Sequence, residues 1–160
     1  MRMWLAALLS LPLLAGGGGI VSFKQTSLMA EVAVTQQETE KGLMYRQSLA
    51  KDRCMFFVYT EDGNHAIWMK NCLIALDVAW IDAEGRVVEF SEHVPPCSPM
   101  RGGDCPTYGG TVLARHFIEF PAGTFKRLNL KKGDRFGWEL TLDDGRVLRG
   151  GPPVAKAKKK

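Results

Sequence analysis

CMFFVYTEDGNHAIWMKNCLIALDVAWID, residues 54–82, decides how the rest of the chain is read. Two apolar, aromatic-rich runs of strand length enclose a short polar island there. Such runs bury their side chains. Lys70, Asn71 and Asp77 must therefore be partnered or face a cleft, because an unpaired buried polar group costs about 1–3 kcal/mol.

Outward from this stretch, β-type patterning dominates. Residues 28–34 alternate loosely as a strand, and residues 54–59, 66–69 and 75–81 are further strand candidates. Asp82-Ala83-Glu84-Gly85 closes a hairpin into residues 86–92, whose alternation implies one wet face. Residues 111–120 would place Val112, Ala114, His116, Ile118 and Phe120 on one face and Leu113, Arg115, Phe117 and Glu119 on the other. Residues 124–128 have room only for a turn of helix. Residues 135–142 and 147–148 then form a last hairpin around Asp143-Asp144-Gly145-Arg146.

One longer helix is expected. Thr35 stands three residues before Glu38, the capping-box spacing that satisfies free N–H groups at a helix start, so a helix spans about 36–47. Its Leu43 and Met44 can pack on the sheet. Arg46 either snorkels at the surface or points into the polar island. The expected fold is α+β and predominantly β: a single compact domain with a mostly antiparallel, barrel-like sheet and one helix packed on it.

At 160 residues and 46% hydrophobic content, the chain suits one globular core. Arg2, the apolar run 4–15 and the small residues up to Gly19 read as a signal peptide, 1–19. The run is shorter than the roughly 20 residues of a spanning helix, leaving an uncleaved anchor as the lesser alternative. A linker, 20–27, the domain, 28–149, and a disordered Lys-rich tail, 150–160, complete the organisation. The expected location is outside the cytoplasm, periplasmic or secreted, with no membrane span once the signal is removed.

The formal charge of +4 is misleading as a sign of nucleic-acid binding. Removing Arg2, Lys156, Lys158, Lys159 and Lys160 from 21 basic side chains leaves 16 against 17 acidic ones, a net of −1. The body is nearly neutral, which argues against a nucleic-acid partner.

Four cysteines in a chain bound for an oxidising compartment make disulfides the default. Cys97 and Cys105 flank a Pro/Gly-rich stretch within the long irregular segment 94–110 and would staple it into a positioned rim. By elimination Cys54 would pair with Cys72, the alternative being two buried free thiols. His93 with Cys97 and Cys105 matches no standard metal-site spacing, and no metal or cofactor is expected. His65, His93 and His116 are too scattered to name a triad, and no nucleophile elbow or phosphate loop occurs.

Several separated motifs carry a resemblance: Gly42-Leu43-Met44-Tyr45-Arg46, Met55-Phe56-Phe57-Val58, Trp68-Met69-Lys70-Asn71, Leu76-Asp77, Ile81-Asp82 with Gly85, Pro95, Tyr108 and Ala122-Gly123. In this order, over roughly residues 30–142, they resemble the domain-of-unknown-function 192 family. The resemblance implies a small, mostly β domain with a helix packed on it, often exported and without an assigned activity. Cys54 and Cys72 stand where that family usually has Gly and Thr, a joint departure most simply explained by a bond between them. Ala75 replaces a usual proline.

For function, Arg46, Trp68, Lys70, Asn71, Asp77 and Tyr108 are the candidate binding set. Trp68 offers a flat apolar face and an N–H, Lys70 and Arg46 offer positive donors, and Asn71 both donates and accepts. They suit a small polar or anionic ligand, a sugar or a peptide. The bland alternative pairs Asp77 with Lys70 or Arg46, leaves Asn71 to cap a turn and makes Trp68 core. A non-enzymatic exported binding domain is the leading expectation. A hydrolase or lyase using Asp77 as base beside Lys70 is the second, and an accessory envelope protein presenting its rim loop is the third.

Overall fold

The computed structural model describes residues 17–97 and 104–154. The signal-peptide reading of 1–16, the middle of the rim segment (98–103) and the lysines of 155–160 lie outside the described residues. Ten strands and two short helices occur in the order β1 (Gly18–Phe23), β2 (Thr26–Ala33), α1 (Gln36–Lys41), β3 (Arg53–Phe57), β4 (Ile67–Trp68), β5 (Leu76–Ile81), β6 (Val87–Val94), β7 (Thr107–Tyr108), β8 (His116–Pro121), α2 (Thr124–Leu128), β9 (Gly137–Thr141) and β10 (Val147–Gly150). Eight of the strands form one sheet in the order β10-β9-β1-β2-β3-β8-β5-β6, and β4 and β7 form a separate pair.

Pairing is antiparallel except for β2 with β3, which are parallel and joined through α1. The sheet curls into a half-barrel. Its two ends approach where the β5–β6 hairpin meets the segment before β9: Val87 N–H donates to the Asp134 carbonyl at 2.8 Å and Phe136 N–H to that of Gly85 at 2.9 Å. The predominantly β, mostly antiparallel expectation therefore holds.

Alternation along the strands builds two cores. Val21, Leu28, Cys54, Phe56, Ala79, Ile118, Phe120 and Leu140 fill the inner face, with Phe125 of α2 plugged among them. Met55, Phe57, Val78, Trp80 and Phe117 face the other way, under the β4–β7 layer and Leu43, Met69 and Cys72. Each fully buried large side chain contributes about 1.5–3 kcal/mol.

Three expectations need correction. Residues 18–27, assigned to the end of a signal peptide and a linker, form β1, its turn and the start of β2; β1 is an interior strand between β9 and β2. Its glycines mark close packing: a Cβ on Gly19 would come within 2.2 Å of the Glu139 carbonyl oxygen. The helix expected over 36–47 stops at Lys41. Its Thr35–Glu38 capping box is present, but Gly42 takes φ +43° and ψ −129°, a conformation that ends the helix.

The third correction concerns the thiols. Cys97 and Cys105 are bonded, with Cα atoms 5.9 Å apart. Cys54 and Cys72 are free and buried. They cannot meet, because Cys54 belongs to the inner core, its thiol donating to the Met29 carbonyl at 3.8 Å, while Cys72 packs in the outer one.

Candidate functional site

Glu119 lies on β8, between Met55 of β3 and Val78 of β5 in the sheet register. It shares its face with Phe117, so its side chain projects into the outer core. Only 6% of it is exposed, and its Oε2 has no hydrogen-bond partner. Burial pushes its pKa up to about 8, with no compensating cation among the causes. At neutral pH the group is mostly a carboxylic acid, able to donate as well as accept.

Above it opens a cleft of about 200 Å³. One wall is the stretch from Thr39 through Met44, where the end of α1 turns at Gly42. A Cβ placed there would lie 3.9 Å from Glu119 Oε2 and 3.2 Å from the Phe57 ring. Phe57, Tyr59 and Phe117 form an aromatic floor, with Phe57 and Phe117 stacked at 4.2 Å between ring centroids. Trp68 of β4, 47% exposed, stands on the opposite side, with Lys70 Nζ 5.0 Å from its ring centroid.

The other titratable groups of the cleft are poor nucleophiles. Burial, with the Glu119 charge adding to it, pushes the Cys72 thiol up to about 12, and Tyr59 is raised by the same two causes. A thiol so held is not a thiolate at physiological pH.

The six residues expected to converge are divided among three places. Trp68, Lys70 and Tyr108 share the β4–β7 layer, where Tyr108 pairs with Ile67 across the strands. Asn71, at φ +56°, shapes the adjoining turn: its carbonyl accepts from Tyr45 N–H at 2.8 Å, and its amide lies 3.8 Å from Met44 Sδ. Arg46 instead forms a two-pronged ion pair with Glu31 of β2, beside a separate groove of about 260 Å³.

Asp77 is on the opposite side of the sheet. It is fully buried, and its two oxygens accept backbone N–H groups from His93 and Phe125, each at 2.9 Å. Neither Lys70 nor Arg46 is its partner, so the base-and-lysine arrangement is not formed. The Cys97–Cys105 bond likewise consumes two of the three ligands weighed with His93 for a metal.

In the sequence, Leu113 and Arg115, three and two steps of alternation earlier, give the face of Glu119 a mixed character. The strand begins only at His116, and from there Phe117-Ile118-Glu119-Phe120 is a single acid within an apolar run. That is the signal used for Asp77, and it applied here equally.

Comparison with known proteins places this geometry in a family without an assigned activity. The model of the DUF192 family, described as "Uncharacterized ACR", matches residues 20–138. A UPF0127 protein of Thermococcus gammatolerans is 28% identical over 113 residues, covering 69% of this chain and 67% of its own. A crystal structure from Sinorhizobium meliloti, described as a candidate transcription regulator, matches with a TM-score of 0.68 and 28% identity over 77% of this chain and 94% of that one. A protein of unknown function from Novosphingobium aromaticivorans matches with a TM-score of 0.63 and 25% identity, over 76% and 84%.

Proposed function

From the premise that the chain belongs to the DUF192 family, we propose that it is a non-enzymatic binding domain whose ligand is a small molecule seated in the cleft over Glu119. The observation that carries this reading is the unpartnered Oε2 of a buried carboxyl at the floor of an aromatic-walled opening. A buried polar atom left without a partner costs about 1–3 kcal/mol, and a ligand that supplies the partner recovers it. Ligand sites commonly combine apolar and aromatic lining with a few placed polar groups, and this small cleft sets four aromatic rings beside one buried acid.

Two features support service outside the cytoplasm. The Cys97–Cys105 bond suits an oxidising compartment, and the sequence of residues 1–15 has the charged start and apolar run of an export signal. Among the described residues no helix is long and apolar enough to cross a membrane.

The test is a thermal-shift screen of small amphipathic compounds against wild type, Glu119→Gln and Trp68→Ala. Binding in the cleft predicts stabilisation of wild type that is reduced in both variants. Stabilisation of equal size in all three proteins, or none by any compound, overturns the reading.

A further inference from the structure

We infer that the cleft selects ligands carrying an alkylammonium group, which pairs with the Glu119 carboxylate among the aromatic rings of Phe57, Tyr59 and Trp68. The inference deepens the binding reading above and rests on it.

Three observations converge. Glu119 Oε2 is buried and without a partner, and a carboxyl in that position is relieved either by keeping a proton or by meeting a cation. Four aromatic rings, Phe57, Tyr59, Trp68 and Phe117, are in the lining, and aromatic rings attract cations through the ring quadrupole. An ammonium already packs against one of them, since Lys70 Nζ lies 5.0 Å from the Trp68 ring centroid. An anionic ligand would instead meet the negative faces of those rings. Of the small polar or anionic ligand, sugar or peptide expected from the sequence, the anionic option is disfavoured at this site.

Because burial holds a proton on Glu119, cation binding is an exchange. The neutral acid and the ammonium ion become a carboxylate–ammonium pair, and one proton leaves to solvent. Two titratable groups lining the cleft with this carboxyl do not compete in the same range, Cys72 being pushed up to about 12 and Tyr59 above its ordinary value; Glu40 and Lys41, of opposite charge, also line it. The strand neighbours Met55 and Val78 carry no charge. Lys70 stands outside over Trp68, and His65 is stacked on Tyr59.

The experiment is a calorimetric titration of the full chain with n-butylamine hydrochloride, n-butanol and sodium butyrate, repeated on Glu119→Gln and Trp68→Ala. The expected result is preference for the amine, affinity rising about tenfold per pH unit below about pH 8, and release of close to one proton per ligand near pH 6.5. Glu119→Gln should abolish the proton release and the pH dependence, and Trp68→Ala should weaken amine binding at every pH. If n-butanol binds as well as the amine, and binding is sensitive to Trp68→Ala, the ammonium inference is overturned while the cleft reading stands. Failure of all three probes together with failure of the compound screen overturns both.

Discussion

Asp77 and Glu119 occupy neighbouring strands one register step apart, yet they point to opposite sides of the sheet. Asp77 stands opposite Phe120, and Glu119 opposite Val78. The first acid is closed off by two backbone amides, whereas the second has an oxygen without a partner. The difference between a braced carboxyl and an unpartnered one here is one residue of alternation.

Asp77 ties the end of β6 to the start of α2, through His93 and Phe125. Asp77→Ala removes both acceptors and leaves two inward-facing amides, an expected loss of about 3–5 kcal/mol. Asp77→Asn retains one good acceptor and should lose roughly half as much. Urea unfolding measures both, and a loss below about 1 kcal/mol for the alanine variant would refute the bracing role.

Glu119 sets an alkaline limit. Below pH 4.5 both folded and unfolded states hold its proton; between 4.5 and about 8 only the folded state does, so stability falls as pH rises and the loss is complete above about 8. The shift corresponds to about 5 kcal/mol. Glu119→Gln should remove this decline and be the more stable protein at pH 8. Unfolding curves measured from pH 4 to 9 check it.

His116 acts at the acid end. Burial, followed by the charge of neighbouring Arg115, lowers its pKa to about 4, and its Nδ1 accepts from Tyr59 N–H at 3.2 Å. Between pH 6.5 and about 4 only the unfolded chain takes the proton, so stability falls with falling pH, by about 3 kcal/mol. Taken together, the two groups nearly cancel from pH 4.5 to 6.5. His116→Asn should abolish the acid-side share, read from the same pH series.

The cysteines give a prediction by mass. Alkylation of the unreduced, denatured protein should add two labels, at Cys54 and Cys72, and leave Cys97–Cys105 intact. In the native state both thiols should label slowly, since both are buried with raised pKa values. A Cys54–Cys72 peptide in a non-reducing digest would contradict the placement of these residues in separate cores. Replacing Cys97 and Cys105 by serine should cost about 2–3 kcal/mol, the range for a short closed loop.

The strands were legible wherever apolar residues recur at spacing two, as in 76–81 and 137–141, and the helix start was legible in Thr35 and Glu38. β1 was hidden because its glycines lack the side chains that announce a strand; they are needed where Gly19 passes the β9 backbone. The helix end turned on Gly42, whose backbone angles stop the helix six residues early. The candidate site was half legible. Trp68 reaches the cleft, but the partner of Arg46 and the side to which Asp77 points depend on which strands neighbour β2 and β5, and strand order is a long-range property.

α1 buries none of its side chains, although the turn that follows it walls the cleft. Apart from Glu38, whose side chain closes the capping box, residues 36–41 can therefore be exchanged with little penalty to folding while the rim of the opening is altered. The crossover between β2 and β3 is thus a place where the rim of the cleft can be changed without disturbing the buried Phe57, Phe117 and Glu119 beneath it.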